Sequence, residues 1–217
     1  MPSVKMPRKS TDTDMTPFVD IAFLILSFFI MATKFKPPET VQITTPGSVL
    51  SQTLPENNAV MISMDSTNRV FFTVLSQRDP GKYATIIQGI NTSQNLGLSP
   101  AEMANFKNVY MIGVPFGALK QLLATDIKEQ AKLKLPGIPV DTANNQLVWW
   151  IREAKTAFAG QKLNYLIKGD NNAKYPAFEA VISALKLNDE FKYNLVTSLD
   201  GIPDGSELDR KLKSAKK

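Results

Sequence analysis

The feature that most constrains this chain is an apolar stretch near its N-terminus. Residues 21–32 contain a single polar side chain, Ser27, and with its margins the stretch covers residues 15–33. As an α-helix it would be about 28 Å long at about 1.5 Å per residue, which is close to the thickness of the hydrocarbon core of a bilayer. The stretch therefore predicts a membrane-spanning helix, and Asp20 is its only ionisable residue.

Two other interpretations of the stretch agree less well with the sequence. A secretory signal peptide has a basic start before its apolar core, whereas Asp12, Asp14 and Asp20 occupy that position here, and residues 32–36 are a poor cleavage site. A helix buried in a protein core would show a stripe of polar residues, which residues 23–29 lack apart from one serine. A spanning helix remains the interpretation that fits both the core and its flanks.

Asp20 lies near the start of this predicted helix. Pro17 suits a first helical turn and Thr16 is a candidate N-cap, which places Asp20 inside the helix. At helical spacing Thr16, Asp20 and Ser27 share one face, which we expect to avoid lipid and to contact another protein. A carboxylic acid withdrawn from water holds its proton more tightly, so Asp20 is a candidate proton relay, with Thr16, Pro17 and Ser27 as supporting residues. The alternative is a carboxylate that reaches the membrane interface and has no role.

The composition narrows the chemistry that the chain can perform. The net charge is +5, but the lysines are scattered rather than interleaved with aromatic residues, so we predict no nucleic-acid partner. The chain has no Cys and no His, which excludes disulfides, cysteine-ligated metals and Ser-His-Asp triads. These absences do not exclude an enzyme but remove its commonest catalytic groups, and we predict that the protein is not an enzyme and has no cofactor or metal site. The basic residues 210–217 are typical of a solvated tail.

Basic residues on the two sides of the apolar stretch predict its orientation. Three precede it (Lys5, Arg8 and Lys9) and two follow it (Lys34 and Lys36), which favours an N-terminus on the inner side. The predicted domains are a cytoplasmic tail (1–14), a transmembrane helix (15–34), an extended linker (35–57) and an outer α/β domain (58–217). The linker is rich in Pro, Thr, Ser and Gln, and residues 41–43 within it are either plain linker or an added edge strand.

The outer residues predict a mixed β-sheet with helices. Alternating apolar residues predict strands over 59–65 and 69–72, joined by a turn at 66–68, and further strands over 109–114, 163–170 and 193–197. Helical periodicity predicts helices over 100–107, 117–133, 144–158 and 178–187, the first opened by the capping-box spacing of Ser99 and Glu102. Trp149 and Trp150 cannot share one helix face, so we expect only one of them to pack.

The motif around Asp20 resembles that of the ExbD/TolR family of bacterial inner-membrane proteins. The similarity rests on the sequence Asp14-Met15-Thr16-Pro17-Phe18-Val19-Asp20-Ile21 and the apolar run after it, at the start of a lone N-terminal span. The predicted hairpin near residue 60 and the strand-helix-strand ending are similar to the family's periplasmic domain. The resemblance fails at about residues 76–141, which we interpret as a large insertion into that domain.

The resemblance implies a motor subunit driven by the proton-motive force. Such proteins pair in the membrane inside a ring of a multi-span ExbB/TolQ-type protein, and protons pass by an essential Asp that Asp20 matches, with Thr16 and Pro17 matching the motif around it. The motor drives a TonB- or TolA-type transducer and so energises TonB-dependent or Tol-type transport across the outer membrane. The implied protein is a homodimer in the inner membrane, with one span, a cytoplasmic N-terminus and a periplasmic C-terminal domain.

Two other functional classes stay open. A membrane-anchored periplasmic protein that binds the cell wall or a partner protein would use the span only as a passive anchor. A membrane-anchored periplasmic enzyme is the third class, although no nucleophile-base pair is evident in the sequence.

Overall fold

The chain forms two compact units, Met1–Pro37 and Pro38–Lys217. The computed structural model describes residues 14–32, 41–49, 53–55, 57–76, 79–130, 133–201 and 206–207. Some predictions concern residues outside the described ranges. They are the tail before residue 14, the basic residues used to predict the orientation, residues 33–34 of the span, residues 35–40, 50–52 and 56 of the linker, and the basic end 210–217.

The first unit contains helix α1 (Thr16–Ala32). Its polar side chains are those of Thr16, Asp20 and Ser27, and none of its residues is buried. Among the residues that the structure describes, none of the helices is both long and apolar enough to cross a membrane.

The second unit is a mixed α/β domain, as predicted. Its strands are β1 (Gly47–Ser48), β2 (Asn57–Met64), β3 (Val70–Ser76), β4 (Val140–Asp141), β5 (Asn144–Asn145), β6 (Asn164–Gly169), β7 (Asn194–Val196) and β8 (Ser198–Leu199). Its helices are α2 (Gly81–Gln94), α3 (Pro100–Asn105), α4 (Phe116–Ala124), α5 (Ile127–Gln130), α6 (Leu147–Ala157) and α7 (Tyr175–Lys186), with a 3-10 turn at Phe106–Asn108.

The main sheet has the strand order β3-β2-β6-β7. β2 and β3 form the predicted antiparallel hairpin, and β2, β6 and β7 are parallel neighbours. The chain passes from β6 to β7 through α7, which is the strand-helix-strand ending that the sequence predicts. β1 pairs with β8 and β4 with β5 as separate two-stranded ladders.

One face of the main sheet is covered by α2, α6 and α7, and the core lies between these layers. Ile62 of β2, Phe72 of β3 and Ile167 of β6 occupy the same position across the three strands and are all buried. Trp150 of α6 is fully buried, and its ring centroid lies 5.6 Å from that of Phe72. Two further rings contact Trp150, those of Phe106 and Phe116.

The outer edge of β3 is covered by two segments from the region predicted as an insertion. Phe72 and Ile112 exchange two backbone hydrogen bonds of 2.8 Å, and the N–H of Ile138 donates to the Val70 carbonyl over 2.8 Å. Between them, a Cβ at Gly113 would overlap the Phe71 ring, so this close approach requires glycine. Residues of the region 76–141 are therefore packed into the domain, because they close one edge of its sheet and supply much of its core.

Three sequence predictions within the outer domain are wrong in detail. Residues 109–114 form only an isolated bridge at Ile112 instead of a strand. The predicted helix 117–133 breaks after Ala124, where the Gln130 side chain donates to the carbonyls of Leu122 and Thr125. The helix predicted over 144–158 begins at Leu147, because the two asparagines before it pair with β4. Of the two alternatives for residues 41–43, the structure shows the one without a strand. Helix α2 was not predicted at all.

The two adjacent tryptophans provide a matched test of the packing. Trp150→Ala is expected to lower the free energy of unfolding by about 3–5 kcal/mol, because it leaves a large cavity between sheet and helices. Trp149 is half-buried and stacks on Arg152 at 4.6 Å, so Trp149→Ala is expected to cost about 1 kcal/mol or less. Urea unfolding of residues 40–217 measures both, and equal losses would contradict this assignment of the core.

Asp65 organises the β2–β3 turn and ties it to the inserted region. Its carboxylate accepts the backbone N–H groups of Thr67 at 3.0 Å and Arg69 at 2.8 Å, and it pairs with the Arg69 guanidinium at 2.6 Å. Arg69 Nη1 in turn donates to the Leu135 carbonyl over 2.8 Å. Burial alone would raise the pKa of Asp65, but the hydrogen bonds and charge of Arg69 and the Thr67 hydroxyl outweigh it and hold the pKa below its ordinary value.

We therefore expect Asp65→Asn to lower the free energy of unfolding at pH 7 by about 2–3 kcal/mol, since a charged hydrogen-bond acceptor is lost. The folded-state pKa lies below the unfolded value of about 3.9. The contribution of Asp65 is therefore complete above that value and lost as the pH falls through the folded-state pKa. Unfolding measured between pH 7 and pH 3 should show a shallower acid loss for the variant than for the natural protein. Parallel profiles would exclude Asp65 as the titrating group.

Candidate functional site

The start of α1 is held by an acidic residue that lies two positions before it. Thr16 is the first residue of the helix, and Asp14 Oδ1 accepts both its backbone N–H at 3.0 Å and its hydroxyl at 2.5 Å. The carbonyl of Met15 accepts the N–H groups of Phe18 and Val19, both at 3.1 Å. Thr16 is therefore not the N-cap that the sequence indicates, because the side-chain acceptor at this end is Asp14.

The hydroxyl and then the backbone N–H of Thr16 hold the pKa of Asp14 below its ordinary value. Asp14 is therefore ionised at neutral pH, and its negative charge lies at the positive end of the helix dipole. Sequence reasoning missed this residue as part of the site. An Asp two residues before a Thr-Pro helix start is the local signal that could have identified it.

The predicted site residues occupy one face of α1. Thr16, Asp20 and Ser27 lie within an arc of about 40° when the helix is viewed along its axis at about 3.6 residues per turn. Asp20 is exposed and Ser27 is half-buried. Among the described residues, no hydrogen bond or ion pair is made by the Asp20 carboxylate. Pro17 follows Thr16 in the first turn, where the N–H that proline lacks is not required.

The rest of the α1 surface is apolar. Large hydrophobic side chains are more than half exposed on every side of the helix; they are Phe18, Val19, Ile21, Phe23, Leu24, Ile25, Leu26, Phe28, Phe29, Ile30 and Met31. A continuous apolar surface of this kind marks contact with a membrane or with another protein.

A second candidate site is an apolar groove in the outer domain. It lies between α7 and the β6–β7 edge of the sheet and has a volume of about 360 Å³. Met64, Ile167 and Leu195 line it from the sheet, and Tyr175 and Phe178 line it from α7. Tyr175 is 71% and Leu195 56% exposed, so the groove opens to the surface where β7 ends the sheet.

One end of the groove is closed by residues that the sequence predicts to be linker. The N–H of Thr44 donates to Asp170 Oδ2 over 2.9 Å, and the Thr44 carbonyl accepts the N–H of Asn171 over 2.8 Å. The backbone N–H groups of Asn172 and Thr44 hold the pKa of Asp170 below its ordinary value. Pro46 beside them lines the groove. Contacts between positions so far apart in the chain have no local signal in the sequence.

The edge of the sheet beside this groove is open. β7 pairs with β6 on one side, and within the described part of the chain no strand pairs with its other side. Leu195 is largely exposed there. An edge strand of this kind can accept a strand from another chain.

The described residues contain no group of three or more Asp or Glu side chains that could hold a metal ion. Lys155 and Glu190 form an ion pair at 3.2 Å, and Lys155 also donates to the Asn188 carbonyl. These contacts connect the end of α6 to the loop after α7, which is a structural role.

Comparison with known proteins gives one finding. A family model described as biopolymer transport protein ExbD/TolR matches residues 6–200 of the chain. The matched range contains the motif around Asp20 and extends to the end of β8, so it also spans residues 76–141, whose status as an insertion stays a prediction. No curated protein and no solved structure gives a significant match.

Proposed function

Because this chain belongs to the ExbD/TolR family, we propose that Asp20 is the proton-relay carboxylate of a motor driven by the proton-motive force. Members of the family are subunits of transport motors and are not enzymes. Membership implies a role in TonB- or Tol-type energy transduction, at the inner membrane and with a periplasmic domain. The observation that supports the finer proposal is a lone carboxylate on an otherwise apolar helix.

In this proposal residues 15–34 cross the inner membrane with the N-terminus in the cytoplasm. The 17 residues of α1 account for about 26 Å at about 1.5 Å per residue, against a hydrocarbon core of about 30 Å. The exposed apolar side chains on every side of α1 suit contact with lipid or with apolar faces of neighbouring helices. Residues 33 and 34 would complete the crossing.

The proposed mechanism uses the cost of charge in an apolar environment. An ionised Asp20 needs a polar or water-filled surrounding, whereas a protonated Asp20 can face an apolar one. Loading and release of the proton on opposite sides of the membrane would therefore change which surface of a partner the helix prefers. A proton that crosses about 100 mV delivers about 2.3 kcal/mol, so several protons can drive one mechanical step.

The proposed partners follow from the two candidate sites. The polar face with Thr16, Asp20 and Ser27 would contact a multi-span ExbB/TolQ-type protein and a second copy of α1. The open β7 edge and the groove beside it would accept an extended segment of a TonB- or TolA-type transducer, or the same edge of a second copy.

A second function is favoured by the groove alone. A membrane-anchored periplasmic protein could bind a partner at Tyr175 and Leu195 while its span serves as a passive anchor. The two functions differ in whether the Asp20 proton is needed, so one substitution separates them.

Asp20→Asn is expected to abolish energised transport, because the side chain keeps its size and loses its titratable proton. Uptake of a large outer-membrane substrate by cells that produce the variant measures the effect. Asp20→Glu is the matched control, since it keeps a carboxylate and should retain part of the activity. Both variants should still be recovered with the multi-span partner. Normal uptake with Asp20→Asn would exclude the relay and favour the passive anchor.

Residues 40–217 are expected to dimerise or to bind a peptide through the β7 edge. Leu195→Lys should weaken this association at least about tenfold, because a charge replaces an apolar side chain that the contact would bury. Leu187→Lys is the matched control, because Leu187 is also more than half exposed, at 67% against 56% for Leu195, but follows α7. Sedimentation at micromolar concentration is the measurement. A strict monomer, together with no crosslinking of Ser27→Cys in membranes, would exclude pairing.

A further inference from the structure

The start of α1 determines where Asp20 lies. We infer that Asp14 is a positioning residue for Asp20, because its side chain caps α1 and fixes the turn of the helix on which Asp20 is placed. The inference rests on the proposed role of Asp20 and adds to it a residue that lies outside the predicted span.

Every backbone N–H of the first turn is accounted for. The first four N–H groups of an α-helix have no acceptor within the helix. Here Asp14 accepts the N–H of Thr16, Pro17 has none, and the Met15 carbonyl accepts those of Phe18 and Val19. Asp14 is the only side chain in this set, so it is the part of the arrangement that a substitution can remove without changing the backbone.

Asp14 acts on Asp20 through Thr16. In an α-helix the N–H of residue 20 donates to the carbonyl of residue 16, so the order of Thr16 determines whether Asp20 is held within a closed turn. The hydroxyl of Thr16 also donates to Asp14, which fixes Thr16 by two bonds. If Thr16 left the helix, Asp20 would become a first-turn residue without its backbone acceptor, and its side chain could leave the face that it shares with Ser27.

The hydrogen-bond acceptor can be separated from the negative charge at this position. Asp14→Asn removes the charge and keeps a side-chain oxygen at the same place, whereas Asp14→Ala removes both. The two variants therefore have the same net charge and differ only in the cap. If Asp14 acts as a cap, Asn should behave like the natural residue and Ala should not.

The test uses the full chain in lipid bilayers together with transport in cells. Asp14→Ala should speed amide hydrogen exchange at Phe18, Val19 and Asp20 by about tenfold, which is the typical effect of losing an N-cap, while exchange in the outer domain stays unchanged. The same variant should lower transport several-fold without abolishing it. Asp14→Asn should restore both values to within about twofold of the natural protein.

Three results would overturn the inference. They are unchanged exchange with Asp14→Ala, equal impairment with Asn and Ala, and faster exchange with normal transport. An Asp20→Asn control in the same cells distinguishes this failure from failure of the proposed function. If that control transports normally, the relay is wrong, whereas the exchange rates still report whether Asp14 caps α1.

Discussion

The contact between Trp150 and Phe72 joins the two layers on which the outer domain depends. Phe72 lies on β3, the edge strand of the β2–β3 hairpin, and Trp150 lies on α6, which precedes β6. The rings of Phe106 and Phe116, both from the region predicted as an insertion, surround the same indole. Residues of the region 76–141 therefore complete the core around a shared aromatic centre.

This arrangement makes the two edges of the sheet different. The β3 edge is closed by Ile112 and Ile138, with Arg69 holding Leu135 beside them. Within the described part of the chain the β7 edge has no such cover, and an apolar groove adjoins it. An open edge exposes a protein to unwanted association, so a domain that closes one edge and leaves the other open directs any strand-adding partner to β7. In the proposed function, the segments around Ile112 and Ile138 would thus leave β7 as the edge open to a partner strand.

Local signals account for the parts of the fold that the sequence predicts. The hairpin and β6 alternate clearly, and the capping box of Ser99 and Glu102 forms as expected. Helix α2 was missed because most of its residues are polar and it has Gly at its start and its middle. It is helical because Ile86, Ile87 and Ile90 are buried against the sheet and α6, which is a tertiary effect. The helix break after Ala124 depends likewise on the side chain of Gln130, six residues away in the sequence.

The candidate sites also contain a part that local sequence signals predict and a part that they do not. The spacing of Thr16, Asp20 and Ser27 is local, so their common face could be predicted, whereas the groove requires Thr44 to meet Asp170 across the domain. Asp14 was missed for a different reason. Its position two residues before a Thr-Pro helix start is a local signal for capping, but Thr16 is also a common N-cap residue and was chosen instead.

The order of residues before Asp20 has a physical explanation. An unsatisfied backbone N–H is costly near lipid, so a helix that begins at the membrane interface must close its first turn completely. Pro17 has no backbone N–H, and Asp14 accepts the N–H of Thr16. The N–H groups of Phe18 and Val19 remain, and the Met15 carbonyl accepts both. The helix can then begin one full turn before Asp20. In the proposed function, this position would place the carboxylate inside the span but within about one turn of its end. A proton relay at this position would need both an apolar surrounding and access to water, so the proposed function gives a reason for the spacing between Asp14 and Asp20.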